Sequence, residues 1–390
     1  MVKKTDTYKV KVLEFLALVG ELSSDEIKSF TASSSYGEKI ITTLKRESFI
    51  KKNKTGDKDL FRLSPRGKKY LKSLLPAEYE SYLSRQRGMN RIRDDKRRIE
   101  RRDKLVQILL MFHRADIKIL PGEKTLLKNN SVITRADGTD NTDAYRPEFY
   151  TSMEIKNIIP DYKTGIGSRA LGILIANNML YIVYFTIDGE LLWKHDAEKN
   201  FLISTSGTLA RRLFGKNNGT YQLVFGDSPK TVATIMKRCG GKTQGKIYPS
   251  VDMPNMLFAI KNTNEDATLD LILHNFDYVA RLKDKYKDEI VPDVKRPFFD
   301  GVKKTKFRDD NGIIREREVF CLYAYLFSMT AIVQAIDISV KQGCDVKIYC
   351  FDYQKAYINA YADALGVDIG KKIEVITVEY KRYEGSRIDE

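Results

Sequence analysis

The sequence predicts an α+β or α/β protein with a basic, mostly helical N-terminal part and a C-terminal mixed α/β sheet domain. Two observations support this fold class. The first 75 residues combine amphipathic helical patterns with two short strands, whereas residues 116–390 alternate apolar strands with helices. Positive charge is also concentrated near the N-terminus. We therefore expect three segments, 1–81, a basic helical connector over 82–115, and 116–390.

The charge asymmetry is the strongest functional signal. Residues 1–115 contain 28 Lys and Arg against 15 Asp and Glu, a net charge of +13, while the whole chain carries +15. The remaining 275 residues are nearly neutral, with 39 Lys and Arg against 37 Asp and Glu. Parts of one chain that differ this much in charge are expected to meet different partners, and a basic part is typical of nucleic-acid binding.

Composition argues against several other classes. Hydrophobic residues make up 42% of the chain, enough for buried cores. No segment approaches the ~18 apolar residues that cross a bilayer, so we expect a cytoplasmic protein without a membrane partner. The histidines and cysteines are too scattered to predict a metal site or disulfide framework, and no motif indicates a cofactor. These residues are His113, His195, His274, Cys239, Cys321, Cys344 and Cys350.

Three helical patterns open the chain. A first helix is expected over 6–19, where apolar residues recur at helical spacing. Ser23 and Glu26 form a capping-box pattern that opens a short helix over 25–30. The similar spacing of Ser35 and Glu38 opens another helix. Two short helices joined by a polar turn are typical of a helix-turn-helix motif.

Two strands and a further helix follow the motif. Residues 49–52 and 60–63 have strand character on either side of a turn that contains Gly56 and Asp57. The segment 60–71, LFRLSPRGKKYL, resembles the strand-then-helix ending of winged helix-turn-helix proteins. The resemblance covers residues 6–75 and implies that the second helix of the motif enters the major groove of DNA.

That second helix is expected to present hydroxyls and cations to bases and phosphates, and the strand hairpin is expected to lie along phosphates. The predicted contacts are Ser34, Tyr36, Lys39, Thr42, Thr43 and Arg46 on the helix, and Lys51, Lys52, Lys54 and Lys58 on the hairpin. The alternative to DNA contact is that these residues form a solvated basic face, because winged helices also serve as protein-interaction modules.

The connector is rich in arginine. Residues 82–104 hold ten Lys and Arg against four acidic residues, a net charge of +6. Guanidinium groups bind phosphates bidentately, so we expect phosphate contacts here. The expected contacts are Arg91, Arg97, Arg98, Arg101 and Arg102. The alternative is a solvated linker helix with ion pairs between residues four apart. Apolar residues over 105–114 are expected to anchor the helix to the next domain.

The C-terminal segment alternates strands and helices, which predicts an α/β sheet domain. Strands are expected at 179–187, 191–193, 221–225, 256–260, 346–351 and 373–378, and helices at 228–237, 266–276, 319–341 and 354–365. Residues 296–317 are polar and predict a loop or an extended hairpin.

Residues 240–243, GGKT, are similar to the end of a phosphate-binding loop. Position 236 is Met where that loop requires Gly, and the segment follows a helix instead of a strand, so we do not expect ATP binding. A helix C-terminus that ends in glycines accounts for the segment.

Two acid-x-Lys patterns fit the carboxylates and lysine of PD-(D/E)xK nucleases, which hold Mg²⁺ and orient water. One is Glu154 with Lys156, preceded by Glu148, and the other is Asp345 with Lys347, preceded by Asp293. Asp352 also follows an apolar strand at the end where α/β sites gather. The same types of residue also occur without catalysis. An exposed charged strand end explains Asp345 and Lys347, and a helix-capping role explains Asp352.

The winged helix, the Arg-rich helix and the phrases FYTSMEIK, SRALGILI, LYIVYFT and LLWKHDAEKNF resemble replication-relaxation proteins of bacterial conjugative and mobilisable elements. The resemblance implies a DNA-binding accessory protein that serves plasmid or conjugative-element DNA processing, replication or mobilisation. The expected partners are double-stranded DNA, other element-encoded DNA-processing proteins and a second copy of the chain. No catalytic residue can be carried over from the resemblance.

Two other functions stay open at this point. One is a metal-dependent PD-(D/E)xK-like nuclease, for which residues 116–390 would form a restriction-endonuclease-like core, intact or degenerate. The other is a ligand-responsive transcription regulator whose α/β domain binds a small molecule.

Overall fold

The protein is an α+β protein with several sheets, as the computed structural model shows. The chain divides into two compact units, Met1–Asp161 and Tyr162–Glu390. The domain boundaries expected at residues 81 and 115 both fall inside the first unit and stay predictions. The structure describes residues 4–55, 58–74, 82–83, 96–124, 127, 146–158, 168–186, 195–214, 219–226, 228–239, 241–243, 246–248, 256–260, 265–287, 290–292, 299–308, 310–370 and 372–382.

The first unit begins with helices and a small antiparallel sheet. Its elements are α1 (Lys4–Val19), β1 (Glu21–Ser23), α2 (Ser24–Phe30), α3 (Ser34–Arg46), β2 (Ile50–Thr55), β3 (Lys58–Leu63), α4 (Pro65–Leu74), α5 (Lys96–Arg114), β4 (Glu148–Thr151) and α6 (Ser152–Ile158). The sheet has the order β1-β3-β2, and both pairings are antiparallel. The strands predicted at 49–52 and 60–63 are therefore confirmed as β2 and β3. Strand β2 begins one residue later and ends three residues later than predicted, and β3 begins two residues earlier.

The core of this unit is formed by the apolar faces of its helices and strands. Leu13 and Leu16 of α1, Phe30 of α2, Ile40 of α3 and Phe112 of α5 are all at most 1% exposed. The Phe15 and Phe30 rings pack with centroids 4.7 Å apart. The helices therefore owe their stability to apolar packing more than to intrinsic propensity.

Two glycines allow close approaches in this unit. A Cβ at Gly37 in α3 would lie 2.8 Å from the Cα of Lys28, so only glycine lets α3 pack this closely on α2. A Cβ at Gly67 in α4 would lie 2.2 Å from the carbonyl oxygen of Phe49. The backbone N–H of Gly67 donates to Ser64 Oγ at 3.0 Å, which anchors the start of α4.

The second unit alternates strands with helices. Its elements are β5 (Gly172–Ala176), β6 (Met179–Phe185), α7 (His195–Ser204), a π-helical segment (Thr205–Ala210), α8 (Arg211–Phe214), β7 (Thr220–Gly226), α9 (Pro229–Cys239), β8 (Gly241–Thr243), β9 (Lys246–Tyr248), β10 (Met256–Ile260), α10 (Glu265–His274), α11 (Tyr278–Tyr286), β11 (Gly301–Arg308), β12 (Ile314–Tyr323), α12 (Met329–Gln342), β13 (Asp345–Phe351), α13 (Lys355–Leu365) and β14 (Ile373–Val378).

Two sheets organise this unit. In the first, β10, β7 and β6 run parallel, and β5 pairs antiparallel with β6. In the second, ordered β11-β12-β13-β14, the last three strands run parallel and β11 forms an antiparallel hairpin with β12. The hairpin expected within 296–317 is thus confirmed.

Two sequence-based predictions of local structure are wrong. Residues 319–341 do not form one helix: β12 continues to Tyr323, and α12 begins only after Phe327, whose φ is 50°. The side chain of Ser328 caps α12 by accepting from Ala331 N at 3.4 Å. The N-cap of α3 is Ser33 and not Ser35. The strand expected at 191–193 lies outside the described residues.

No helix within the described parts of the chain is long and apolar enough to cross a membrane.

Candidate nucleic-acid interface

The pair α2 and α3 is held by local polar contacts. Ser23 N donates to Glu26 Oε2 at 2.6 Å and Glu26 N donates to Ser23 Oγ at 3.2 Å, so the predicted capping box is confirmed. Between the helices, Lys28 Nζ lies 2.7 Å from Glu38 Oε1. This hydrogen bond lowers the pKa of Glu38 and raises that of Lys28, so both stay charged at neutral pH.

The helix α3 has one buried face and one polar face. Ile40, Ile41 and Leu44 are buried, whereas Lys39 and Arg46 are exposed. Ser34 and Thr42 are exposed as well, and Thr42, three residues after Lys39 and four before Arg46, shares a helical face with them. Among the described residues, neither Lys39 nor Arg46 has an ion-pair partner. The face that holds Lys39, Thr42 and Arg46 therefore presents two cations and a hydroxyl to solvent.

Two of the predicted contacts on α3 are less accessible. Tyr36 is half-buried and packs edge-on against Tyr8 of α1, with ring centroids 5.5 Å apart. Thr43 is also half-buried. Tyr36 thus stabilises the contact between α1 and α3 and leaves only part of its surface for a ligand.

The hairpin of β2 and β3 carries further cations. Lys51 and Lys52 are exposed on β2. Lys52 Nζ lies 2.6 Å from Asp59 Oδ2, so the charge of Lys52 is compensated within the hairpin. Lys54 and Lys58 belong to the paired strands, but their side chains lie outside the described residues. Of the two predicted hairpin lysines whose side chains are described, Lys51 is therefore the more available for a ligand.

Arg102 of α5 is buried, which differs from its expected place at phosphates. Its Nη1 lies 3.0 Å from Glu26 Oε2 and 3.3 Å from the carbonyl oxygen of Glu21, and its Nη2 lies 2.7 Å from Asp103 Oδ1. The side chain is only 7% exposed. Arg102 therefore stabilises the packing of α5 against α2 and does not belong to the candidate interface.

The other connector arginines differ from Arg102. Arg101 is exposed and its Nη2 donates to Ser152 Oγ at 3.4 Å. Arg97 and Arg98 belong to α5, but their side chains lie outside the described residues, as does the whole of Arg91. Of the five predicted connector contacts, Arg101 is the one whose described side chain is exposed.

A histidine lies where α5 meets α2. The ring of His113 stacks on that of Phe30 with centroids 4.4 Å apart. Burial is the largest influence on this imidazole and lowers its pKa, with the positive charge of Lys11 adding to the effect. The contact therefore favours neutral His113, so acid is expected to weaken it.

Sequence reasoning missed two exposed cations beside the predicted ones. The Nζ of Lys45 on α3 lies 4.6 Å from the ring centroid of Phe61, and the guanidinium of Arg66 on α4 lies 5.6 Å from that of Phe49. Both cations lie against aromatic rings that the hairpin and its flanking turn supply. The available signal for Lys45 was its position three residues after Thr42, a helical spacing that places neighbours on one face.

No known family model, curated protein or solved structure matches the chain.

The first acid-x-Lys pattern lies in a buried polar cluster of the first unit. Glu154 and Lys124 form an ion pair in which both side chains are 1% exposed. Glu154 Oε2 also accepts from Thr151 N at 2.7 Å, and Oε1 accepts from Tyr82 Oη at 2.6 Å. Glu148 is likewise enclosed and accepts from Tyr150 Oη at 2.6 Å. These carboxylates are engaged by protein groups and stabilise the fold locally.

The second acid-x-Lys pattern, in the second unit, is also engaged in ion pairs. Asp345 lies 2.8 Å from Arg317 Nη1, and Lys347 Nζ lies 2.8 Å from Glu374 Oε2. Asp293 and the Lys156 side chain lie outside the described residues. Within the described parts of the chain, no group of three His, Cys, Asp or Glu side chains could hold a metal ion.

Proposed function

We propose that the chain is a DNA-binding accessory protein of a mobile genetic element, with residues 4–74 acting as a winged helix whose α3 enters the major groove. The observation that carries the proposal is the exposed face of α3, where Lys39 and Arg46 flank Thr42 without ion-pair partners among the described residues. The order α1-β1-α2-α3-β2-β3-α4 and the β1-β3-β2 sheet support the winged-helix assignment.

In this arrangement each part of the basic surface has a separate role in DNA binding. Hydroxyls and cations on α3 can reach base edges and phosphates, as recognition helices do. Lys51 on the hairpin and Arg101 on α5 are exposed cations suited to the DNA backbone. Lys54, Lys58, Arg91, Arg97 and Arg98 remain candidates for the same role. The net charge of +13 in residues 1–115 supports a polyanionic partner.

The role in plasmid or conjugative-element DNA processing and the element-encoded partners rest on the sequence resemblance. We further propose a cytoplasmic location and self-association, as expected from the sequence. Nothing in the described residues specifically favours the nuclease or the ligand-responsive regulator.

Binding of the purified protein to fluorescently labelled duplex DNA, measured by anisotropy across a salt series, tests the proposal. A plot of log K against log salt should fall with a slope of about −0.9 for each phosphate contact. The double substitution Lys39→Ala/Arg46→Ala should weaken binding by about 1–3 kcal/mol for each base that either side chain recognises. The single substitution Lys51→Ala should reduce the slope by about one unit.

The matched control is Lys341→Ala on α12, which removes an exposed lysine from the second unit. It should leave both the affinity and the slope unchanged. Affinity that does not depend on salt, or an equal decrease in affinity in the control and in the α3 variant, would contradict the proposal.

A further inference from the structure

The strand β14 is an outer strand of the second sheet, and among the described strands it pairs with β13 alone. Val346 N donates to the carbonyl oxygen of Lys372 at 2.8 Å. Every second residue of a strand directs its peptide groups to the same neighbour, so Glu374 also bonds to β13. The N–H and C=O groups of Val375 and Thr377 therefore point to the outer edge of the sheet. A strand edge of this kind can pair with a further strand.

An open groove of about 430 Å³ lies beside this edge. One wall is α13, which contributes Lys355, Asn359 and Asp363 at intervals of four residues, so that they share a helical face. The other wall is the first half of β14, with the apolar side chains of Ile373 and Val375. A groove between a strand edge and a helix is suited to an extended peptide, whose backbone bonds to the edge while alternate side chains enter the groove.

The two ends of the groove carry opposite charges. Because α13 starts after the carboxyl end of β13 and returns to the amino end of β14, exposed Lys355 lies at one end, and exposed Asp363 and Asp368 lie at the other. None of these three side chains has an ion-pair partner among the described residues. Glu374 also lines the groove, but its Oε2 lies 2.8 Å from Lys347 Nζ, so its charge is compensated.

The separation of these charges matches the repeat of an extended chain. Eight helical residues from Lys355 to Asp363 span about 12 Å. Four residues of a strand span about 13 Å, and residues two and four apart along a strand share one face. An extended peptide with opposite charges four residues apart can therefore reach both ends of the groove. The residue midway between the charges then lies on the apolar wall.

We propose that β14 and α13 bind an extended segment of a partner protein, which adds to the sheet as a strand antiparallel to β14. Antiparallel pairing is the more stable of the two per residue. The segment directs an acidic side chain to Lys355, an apolar one to Val375, and a basic one four residues later to Asp363 and Asp368. This site is in the second unit and does not depend on DNA binding by α3.

Binding of a fluorescein-labelled, C-terminally amidated peptide, TETVTKT, to the full-length protein tests the proposal by anisotropy. Asp363→Asn/Asp368→Asn should raise Kd about five-fold, because two exposed ion pairs are lost. The matched control, Asp284→Asn/Asp310→Asn, also neutralises two exposed aspartates of the second unit and should leave Kd unchanged. The peptide TETVTET, which brings glutamate to the acidic end, should bind more weakly than TETVTKT.

Hydrogen exchange resolved to single amides tests the added strand. At a peptide concentration of about ten times Kd, the Val375 and Thr377 amides should exchange about ten-fold more slowly. The Glu374 amide, which already bonds to β13, should change little. Unchanged exchange at Val375 and Thr377 would overturn strand addition even where the peptide binds.

The remaining outcomes also decide the proposal. Absence of peptide binding, or equal effects of the two aspartate variants, would overturn it. Sedimentation of the unliganded protein identifies the alternative occupant: a dimer that Asp363→Asn/Asp368→Asn dissociates would assign the groove to a second copy of the chain and overturn the partner. Circular dichroism verifies that each variant is folded. None of these results changes the expected salt dependence of DNA binding by α3.

Discussion

Arg101 and Arg102 are neighbours in a basic helix, yet substitution of each by alanine should have opposite consequences. Arg102 is buried against Glu26 and Asp103, whereas Arg101 is exposed. Removing one partner from a fully buried ion pair costs about 3–5 kcal/mol. The side chains of Glu26 and Asp103 are each 23% exposed, although Asp103 Oδ1 itself is buried, so water solvates these two residues in part after the substitution. We therefore expect Arg102→Ala to cost about 2–3 kcal/mol.

Arg101→Ala is the matched control, since it deletes the same side chain one residue away. It should change stability by no more than about 0.5 kcal/mol, as other exposed substitutions do. If Arg101 contacts a phosphate, this variant should lower the magnitude of the DNA salt slope by about one unit. Arg102→Ala should leave the slope unchanged under conditions in which it remains folded.

Hydrogen exchange measured by mass spectrometry resolves the two effects. Peptides that cover α2 should exchange about 30 to 150 times faster in Arg102→Ala, because each 1.4 kcal/mol corresponds to a factor of ten. Peptides from α13, in the second unit, serve as the internal control. Exchange of α2 that is equally fast in both variants, or unchanged in Arg102→Ala, would refute the assignment of Arg102 to structure.

Three further predictions concern the first unit. Gly37→Ala should lower the free energy of unfolding by about 1–3 kcal/mol in urea melts, since its Cβ would overlap the backbone of Lys28. Because the folded pKa of His113 is depressed below 6.5, the contribution of neutral His113 to stability is complete above pH 6.5 and declines as the pH falls towards the folded pKa. His113→Gln should therefore flatten the acid side of the curve of unfolding free energy against pH. An unchanged curve would contradict this role of His113. Glu154→Ala should cost about 3–5 kcal/mol by leaving Lys124 charged and buried, whereas Glu154→Leu with Lys124→Met should recover much of that stability in thermal melts.

The N-terminal elements could be predicted because their signals are local. The Ser23 and Glu26 spacing specifies a helix start within four residues, and the structure has both reciprocal hydrogen bonds. The segment 319–341 has no complete capping box at its centre, because Ser328 is followed three residues later by Ala331 and not by Glu or Gln. Its run of apolar and aromatic residues suits a buried strand as well as a helix, and periodicity does not distinguish them. Ser328, a helix-capping residue within the run, was the local indication that a new element begins there.

The fate of individual cations could not be predicted from the sequence. Helical periodicity places residues on faces, but the partner that buries Arg102 is Glu26, 76 positions earlier in the chain. The same limit applies to Glu154, whose acid-x-Lys pattern with Lys156 suggests catalysis until its ion pair with Lys124 is known. Long-range ion pairs of this kind depend on tertiary packing, so a charge count does not distinguish a ligand-binding cation from a structural one.

Exposure and neighbouring charge therefore determine which cations can meet a polyanion. Arg102 adds as much to the net charge of +13 in residues 1–115 as any other cation, yet its side chain is 7% exposed and lies against Glu26. Lys52 is exposed but lies 2.6 Å from Asp59, whereas Lys39 and Arg46 are exposed on α3 without an ion-pair partner among the described residues. Because attraction to phosphate depends on the charges within about a Debye length, a cation with an acidic neighbour adds little to it. The salt slope of the Lys39→Ala/Arg46→Ala variant therefore measures the accessible charge of α3, which the net charge of the segment does not.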